Sequence, residues 1–326
     1  MAANAKSRQT TLLAAFATWA AIVSVAAILG TYLGFGGRRF AFALVVAAVL
    51  FAFELFLAVP RVQEFARRSL GGRGPLLAPL VPLCAVLIYS CAVTGDWKWM
   101  LAGAVYTVVP ALLLASSAGK QPGTWEDYVA AAVLWLPLQF HWMYNFFPYP
   151  APLSHVLSVL LALSAGVAAF VLLRRLDGIG YAIEWRNNFA WNFGFHFVLF
   201  AAIAIFLGTR LGFLSFAPSL ARERFFPLSA LGILFFTAWP EEFLFRGVLQ
   251  NLLSRTLKNE YAALVVASAI FGLSHIAHAP YPNWKYVALA TIAGFFYGRA
   301  WMETKSLVPG TLIHALVDIS WHILFR

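Results

Sequence analysis

Trp239-Pro240-Glu241-Glu242-Phe243-Leu244-Phe245-Arg246-Gly247 sets two carboxylates and a guanidinium into a run, 226–253, that is otherwise almost wholly apolar. A charge at bilayer depth costs about 2.5–3.5 kcal/mol on insertion scales. Three such groups in so short a stretch need a reason. Either the run lies outside a membrane, or the charges face a polar interior and do chemistry there.

Composition decides between these. The chain has 326 residues, of which 62% are hydrophobic and 11% charged, and its mean hydropathy is +0.78. A soluble domain carries about 45–50% apolar and about 25% charged residues. The expected fold is therefore all-α: a polytopic membrane helix bundle. Apolar runs of about 18–25 residues can each span a bilayer. They fall near 11–35, 40–60, 76–95, 98–117, 128–147, 154–173, 189–208, 226–253, 261–278, 285–302 and 306–325, which makes about eleven transmembrane helices.

The net charge of +10 has a topological reading. The basic residues lie in short loops, and with the N-terminus cytoplasmic most of them fall on the cytoplasmic side, among them Arg61, Arg67, Arg68, Arg73, Arg174, Arg175 and Arg186. The other side holds fewer, including Arg38, Arg39, Arg222, Arg224 and the terminal Arg326. The expected location is a multi-pass one in a bacterial cytoplasmic membrane, with membrane lipids as partners and no nucleic acid. Trp97, Trp99, Trp185, Trp191, Trp284 and Tyr286 read as interfacial belts. Cys84 and Cys91 stand seven residues apart, about 10 Å along a helix and beyond the roughly 7 Å limit for a bridge, so they are expected to be free core thiols.

The polar stretch 174–188 divides the chain. An N-terminal transmembrane bundle of unknown role is expected over 1–188, and a catalytic domain over 189–326 with its motifs in 225–326. Ionisable residues are scarce in the spans before the divide. Glu54 and His141 stand alone there and read as structural.

Three motifs lie beyond it: Glu241-Glu242-x-x-x-Arg246, Phe271-x-x-x-His275 and His314-x-x-x-Asp318. Their i,i+4 spacing puts each pair on one helix face. At about 100° per residue, Glu242 and Arg246 lie about 40° apart, whereas Glu241 points about 140° away from Arg246. Glu242 is thus the partner of Arg246, and Glu241 is the freer carboxylate, suited to take a proton from water. His275 can share that proton, and His314 can donate to the oxyanion formed when water attacks an amide. Pro240 bends the span or begins a fresh helix at this point. Phe271 is expected to be a wall, and Gly294-x-x-x-Gly298 a close helix contact.

These motifs, with the stretch GFFYGRAWMETKSLVPGTLIHALVD, resemble the CAAX protease and bacteriocin-processing (CPBP, or Abi) family of intramembrane endopeptidases, which includes CAAX prenyl proteases and lysostaphin-resistance protein A-like proteins. The resemblance covers about residues 225–326. It implies a glutamate-type peptide hydrolase in which Glu241 activates water with His275, Glu242 and Arg246 brace the site, and His314 with residue 318 forms the oxyanion site. The prenyl-protease branch carries asparagine at that last position. Asp318 here cannot donate unless protonated and is expected to orient His314 or to stay neutral. The substrate implied is a membrane-associated protein or peptide, either lipid-modified or bearing a hydrophobic tail, processed in CAAX fashion or by trimming of a C-terminal sorting signal.

No cofactor is expected. Zinc is the metal to weigh, through His275-x-x-His278 and His322 with a glutamate, but no HExxH is present. Two other classes fit the buried charges less well. A proton-coupled transporter should show inverted repeats with broken helices, and none is visible; a non-catalytic scaffold has no use for intact motifs.

Overall fold

The computed structural model describes residues 2–184, 188–219, 226 and 228–325. Trp185, Arg186, Arg222, Arg224 and Arg326, used above for belts and topology, lie outside the described residues. The architecture is helical, and the described residues form no sheet, only an isolated bridge between Phe216 and Phe325. Two compact units divide the chain, Met1–Lys120 with Trp125–Arg175 and Gln121–Thr124 with Leu176–Arg326.

The first unit contains α1 (Ala2–Tyr32), α2 (Gly37–Leu57), α3 (Pro60–Leu70), α4 (Gly74–Leu77), α5 (Leu80–Tyr89), α6 (Trp97–Ser116), α7 (Trp125–Gln139) and α8 (Ala151–Gly166), the last continued by a π-helical stretch, Val167–Leu173. Its buried charges are paired. Glu54 on α2 is 1% exposed and accepts a hydrogen bond from Ser164 Oγ at 2.8 Å, so its partner is a hydroxyl far away in sequence. Arg174 grips Asp127 through Nε–Oδ1 at 2.6 Å and Nη2–Oδ2 at 3.1 Å. His141 lies just past the end of α7 in the left-handed region, φ 58°. Cys84 and Cys91 are free but exposed. The core position expected for them is wrong, because each falls on the outward face of its helix.

The second unit is built from α9 (Phe189–Arg210), α10 (Leu228–Leu257), α11 (Glu260–Leu273), α12 (Trp284–Thr304) and α13 (Leu307–Leu324). Side-chain caps start three of them: Asn259 on α11, Asn283 on α12 and Ser306 on α13 each accept from a backbone N–H of the first turn. α12 is the hub, packing on α9, α11 and α13. Small residues permit this, since no hydrophobic force draws helices together in lipid and close backbone approach must do so. A Cβ at Gly298 would run into Leu264 and Gln250, and one at Gly294 would sit 3.1 Å from the Phe271 ring.

Among the described residues seven helices are long and apolar enough to cross a membrane, by length and composition: Thr11–Tyr32, Gly37–Leu57, Trp97–Ser116, Pro152–Leu173, Phe189–Arg210, Leu228–Leu257 and Leu307–Leu324. The protein is an integral, multi-pass membrane protein. The remaining four of the eleven apolar runs are also helical. Leu80–Thr94 and Glu260–Leu273 are shorter, Trp125–Gln139 has 15 residues, and α12 carries Lys285, Arg299 and Glu303.

An extended strap, residues 176–181, ties the second unit together. Ile179 O accepts from Trp301 Nε1 at 3.0 Å, Gly180 O from Leu307 N at 2.9 Å, and Asp177 O from Asn251 Nδ2 at 2.9 Å. Gly180 has φ +74°, and a Cβ there would strike the backbone of Lys305 and Ser306, so glycine is required. Tyr181 then stacks on Trp239 at 5.5 Å, directly beside the charged motif.

Candidate active site

α10 carries the motif in an irregular way. A single α-helical turn, Trp239–Glu242, is flanked by π-helical stretches at Leu234–Ala238 and Phe243–Gln250. Pro240 sits in the first turn of that α segment, so the chain neither breaks nor begins there. It widens instead, and such π-turns occur mostly as single insertions, frequently at functional sites.

The i,i+4 pair forms. Arg246 Nη1 donates to Glu242 Oε1 at 2.7 Å, with the two side chains 2% and 1% exposed. A buried charge pair is retained only where further groups satisfy it, and here they surround it. Arg246 Nη2 donates to Gly294 O at 3.2 Å. Its guanidinium carbon lies 4.3 Å from the centre of the Phe271 ring and 5.2 Å from that of Tyr297, within cation–π range. Phe271 is therefore a wall of the arginine site as well as of the cavity described below.

His314 completes the arrangement. Its Nδ1 lies 2.9 Å from Glu242 Oε1, so the oxygen that takes the guanidinium also takes the imidazole. Its ring lies flat on Tyr297, centroids 4.8 Å apart and planes 20° apart, with the edge of Phe271 at 5.7 Å. Two contacts hold the ring plane and a third sets its rotation. With Nδ1 donating to Glu242, the imidazole presents Nε2 to Glu241 Oε2 at 3.9 Å and to Asp318 Oδ2 at 3.7 Å. The sequence leaves two roles for Asp318, to orient His314 or to stay neutral. The short bond is to Glu242, and Asp318 faces the opposite nitrogen.

The two adjacent glutamates differ sharply in exposure. The Glu241 side chain is 34% exposed and that of Glu242 1%. Asp318 is 23% exposed. Glu242 Oε2 has no hydrogen-bond partner among the described residues, and it lies where a Cβ on residue 310 would approach to 3.1 Å, so Gly310 makes room for it.

His275 stands just past the end of α11. Its Nδ1 is 2.9 Å from Phe271 O, and a carbonyl can only accept. Nδ1 therefore carries a proton, and Nε2 is left with its lone pair. The ring packs on Tyr286 at 4.7 Å and on His278 at 5.7 Å. His278 and His322 are exposed. Among the described residues no cluster of three His, Cys, Asp or Glu side chains is arranged to hold a metal ion.

His275, His314 and Asp318 open onto one cavity of about 310 Å³. Its other walls are almost all apolar, with Phe197, Phe200 and Ile205 from α9, Phe213 beyond it, and Leu289 and Ala293 from α12. A second polar cluster, not anticipated from the sequence, lies elsewhere on α9 and α12. Glu303 Oε2 accepts from Asn192 Nδ2 at 2.7 Å and meets His196 Nε2 at 3.0 Å, and its other oxygen pairs with Arg299. The i,i+4 spacing of Asn192 and His196 on an apolar helix was the signal that could have found it.

Residues 223–320 match the family described as Rce1-like: type II CAAX prenyl endopeptidase Rce1-like. Comparison with curated proteins and with solved structures finds no match. The matched residues contain all six candidate side chains, and their coarse reading is that of a CAAX-type protease embedded in a membrane.

Proposed function

We propose that this Rce1-like segment hydrolyses a peptide bond by a glutamate-type mechanism that requires no metal, with Glu241 as the base. The observation that carries the reading is the contrast between neighbouring carboxylates: Glu242 is closed off by Arg246 and His314, while Glu241 is the more open one and faces His314 Nε2. A water between Glu241 and His275 would lose its proton to the carboxylate, with the free Nε2 of His275 accepting its second hydrogen bond. The oxygen attacks the carbonyl carbon of the scissile bond. Negative charge then grows on the carbonyl oxygen, where His314, as an imidazolium, donates from Nε2. Glu242 and Arg246 hold that imidazole in place. Asp318, as a carboxylate facing the same nitrogen, favours the charged ring.

The apolar cavity supports a substrate whose chain end is hydrophobic, either a lipid-modified peptide or a C-terminal apolar tail. The domain of 189–326 carries the chemistry. The proposed location is a bacterial cytoplasmic membrane, with the N-terminus on its cytoplasmic side. The test is purification in detergent and assay on peptides with and without a prenylated C-terminal cysteine, comparing wild type with Glu241→Gln and His275→Ala. Cleavage lost in both variants and untouched by chelators is the expected result; cleavage undiminished in both variants would sink the mechanism.

A further inference from the structure

Peptide-bond attack by water needs hydrogen-bond donors aimed at the oxygen that becomes negative. The groups already placed in the site are short of them. Glu241 and Asp318 only accept when ionised. His314 offers Nε2 alone, because Nδ1 is engaged by Glu242. A site built on His314 by itself has a single donor.

We infer that the phenol hydroxyl of Tyr286 is the second oxyanion donor. This rests on the hydrolase reading above. Tyr286 lines the same cavity as His275, His314 and Asp318, although the sequence reading placed it in an aromatic belt. Its position is fixed from both ends. The backbone N–H is held by the capping Asn283 Oδ1 at 3.0 Å. The ring is packed by His275 at 4.7 Å, His278 at 5.1 Å, Trp321 at 5.2 Å and Phe213 at 5.4 Å. A ring held on four sides carries its hydroxyl to a defined place, which is what a preorganised donor requires. Among the described residues that hydroxyl has no hydrogen-bond partner, and it lies within electrostatic reach of Asp318 and Glu241, the two accessible carboxylates.

The other phenol nearby, Tyr297, is used differently. It is 1% exposed, lies flat on His314 and sits beside the Arg246 guanidinium. Tyr297 also lines the cavity, but its ring is the one flat against His314 and beside the guanidinium, so it serves the brace.

The step balances without a co-reactant. Water oxygen bonds to the carbonyl carbon as Glu241 takes its proton, and the carbonyl π pair moves to oxygen, where Tyr286 O–H and His314 Nε2–H donate. The pair then returns, the C–N bond breaks, and the proton on Glu241 passes to the leaving amine.

The experiment uses the full chain in detergent and an internally quenched peptide with an apolar C-terminal tail. Tyr286→Phe keeps the ring and its packing. It should lower kcat roughly 10²-fold, the usual loss for one oxyanion donor. KM should stay within about two-fold, since the bond forms only in the transition state, and Tm should not move. Asp318→Asn combined with Tyr286→Phe should recover about ten-fold or more, because a carboxamide supplies an N–H donor where the carboxylate cannot. A Tyr286→Phe enzyme with wild-type kcat, or a loss carried wholly by KM, overturns the assignment. Cleavage surviving in Glu241→Gln is a different failure: it removes the hydrolase reading itself and the assignment with it.

Discussion

Both units bury charge in apolar surroundings, but they do so in different ways. In the first, Arg174 and Asp127 form a closed fork with side-chain exposures of 5% and 0%, and Glu54 is satisfied by a serine. In the second, Glu242 and Arg246 form an equally buried pair, yet one oxygen of that pair also holds His314. The far nitrogen of that histidine faces two carboxylates whose side chains are 34% and 23% exposed. A closed pair holds helices together. An open chain of the same groups delivers a positioned imidazole to a cavity, with Glu241 facing its far nitrogen. Buried charge alone is therefore a weak pointer to chemistry, and the informative feature is a partner left over.

The largest expected effect tests this directly. Glu241→Gln removes only the left-over carboxylate, so cleavage should fall about 10³-fold, while thermal unfolding in detergent stays at the wild-type midpoint. A large drop in stability would show that Glu241 is structural too. Arg246→Met comes next. Leaving Glu242, 1% exposed, with His314 as its remaining partner should cost about 3–5 kcal/mol of stability and should also abolish turnover, because a Glu242 no longer held by the guanidinium does not fix His314. Arg174→Met is the matched control. It takes the guanidinium fork from Asp127 and should cost a similar 3–5 kcal/mol, yet the fraction that stays folded should cleave with unchanged kcat. Activity lost in proportion to neither variant's stability would erase the distinction between the units. The smallest effect belongs to Ser164→Ala, which leaves Glu54 without its hydroxyl donor. About 1–3 kcal/mol should be lost, visible as a lower unfolding midpoint with no change in cleavage.

Much of this was legible one residue at a time. Hydropathy marked every long helix, since each run of apolar residues must satisfy its backbone internally once in lipid. The i,i+4 spacing marked the Glu242–Arg246 pair, and the glycine pair marked the tight face of α12. The histidine motifs named His275, His314 and Asp318, which packing brings to one cavity. The errors have physical causes. A proline inside an apolar run reads as a bend or a helix start, whereas Pro240 sits in one α-helical turn between two π-helical stretches. Aromatic residues near helix ends resemble belts, so Tyr286 was placed with the membrane interface. The cysteines were put in the core because hydropathy cannot tell a packed face from a lipid-facing one.

What the sequence determined by itself was the solvent and the inventory: a helical bundle in lipid, with a short set of costly polar groups that had to be paired or used. Local rules suffice for that, because helix formation in a bilayer depends on each segment alone. The tertiary structure decided who partners whom. The bond from His314 to Glu242 spans 72 residues, the strap carbonyl reaches Trp301 across 122, and Tyr286 meets His275 only through the packing of α11 on α12. Such contacts depend on how helices approach and rotate, which no spacing within one helix records, and they are what separates Glu241 from the closed pairs described above.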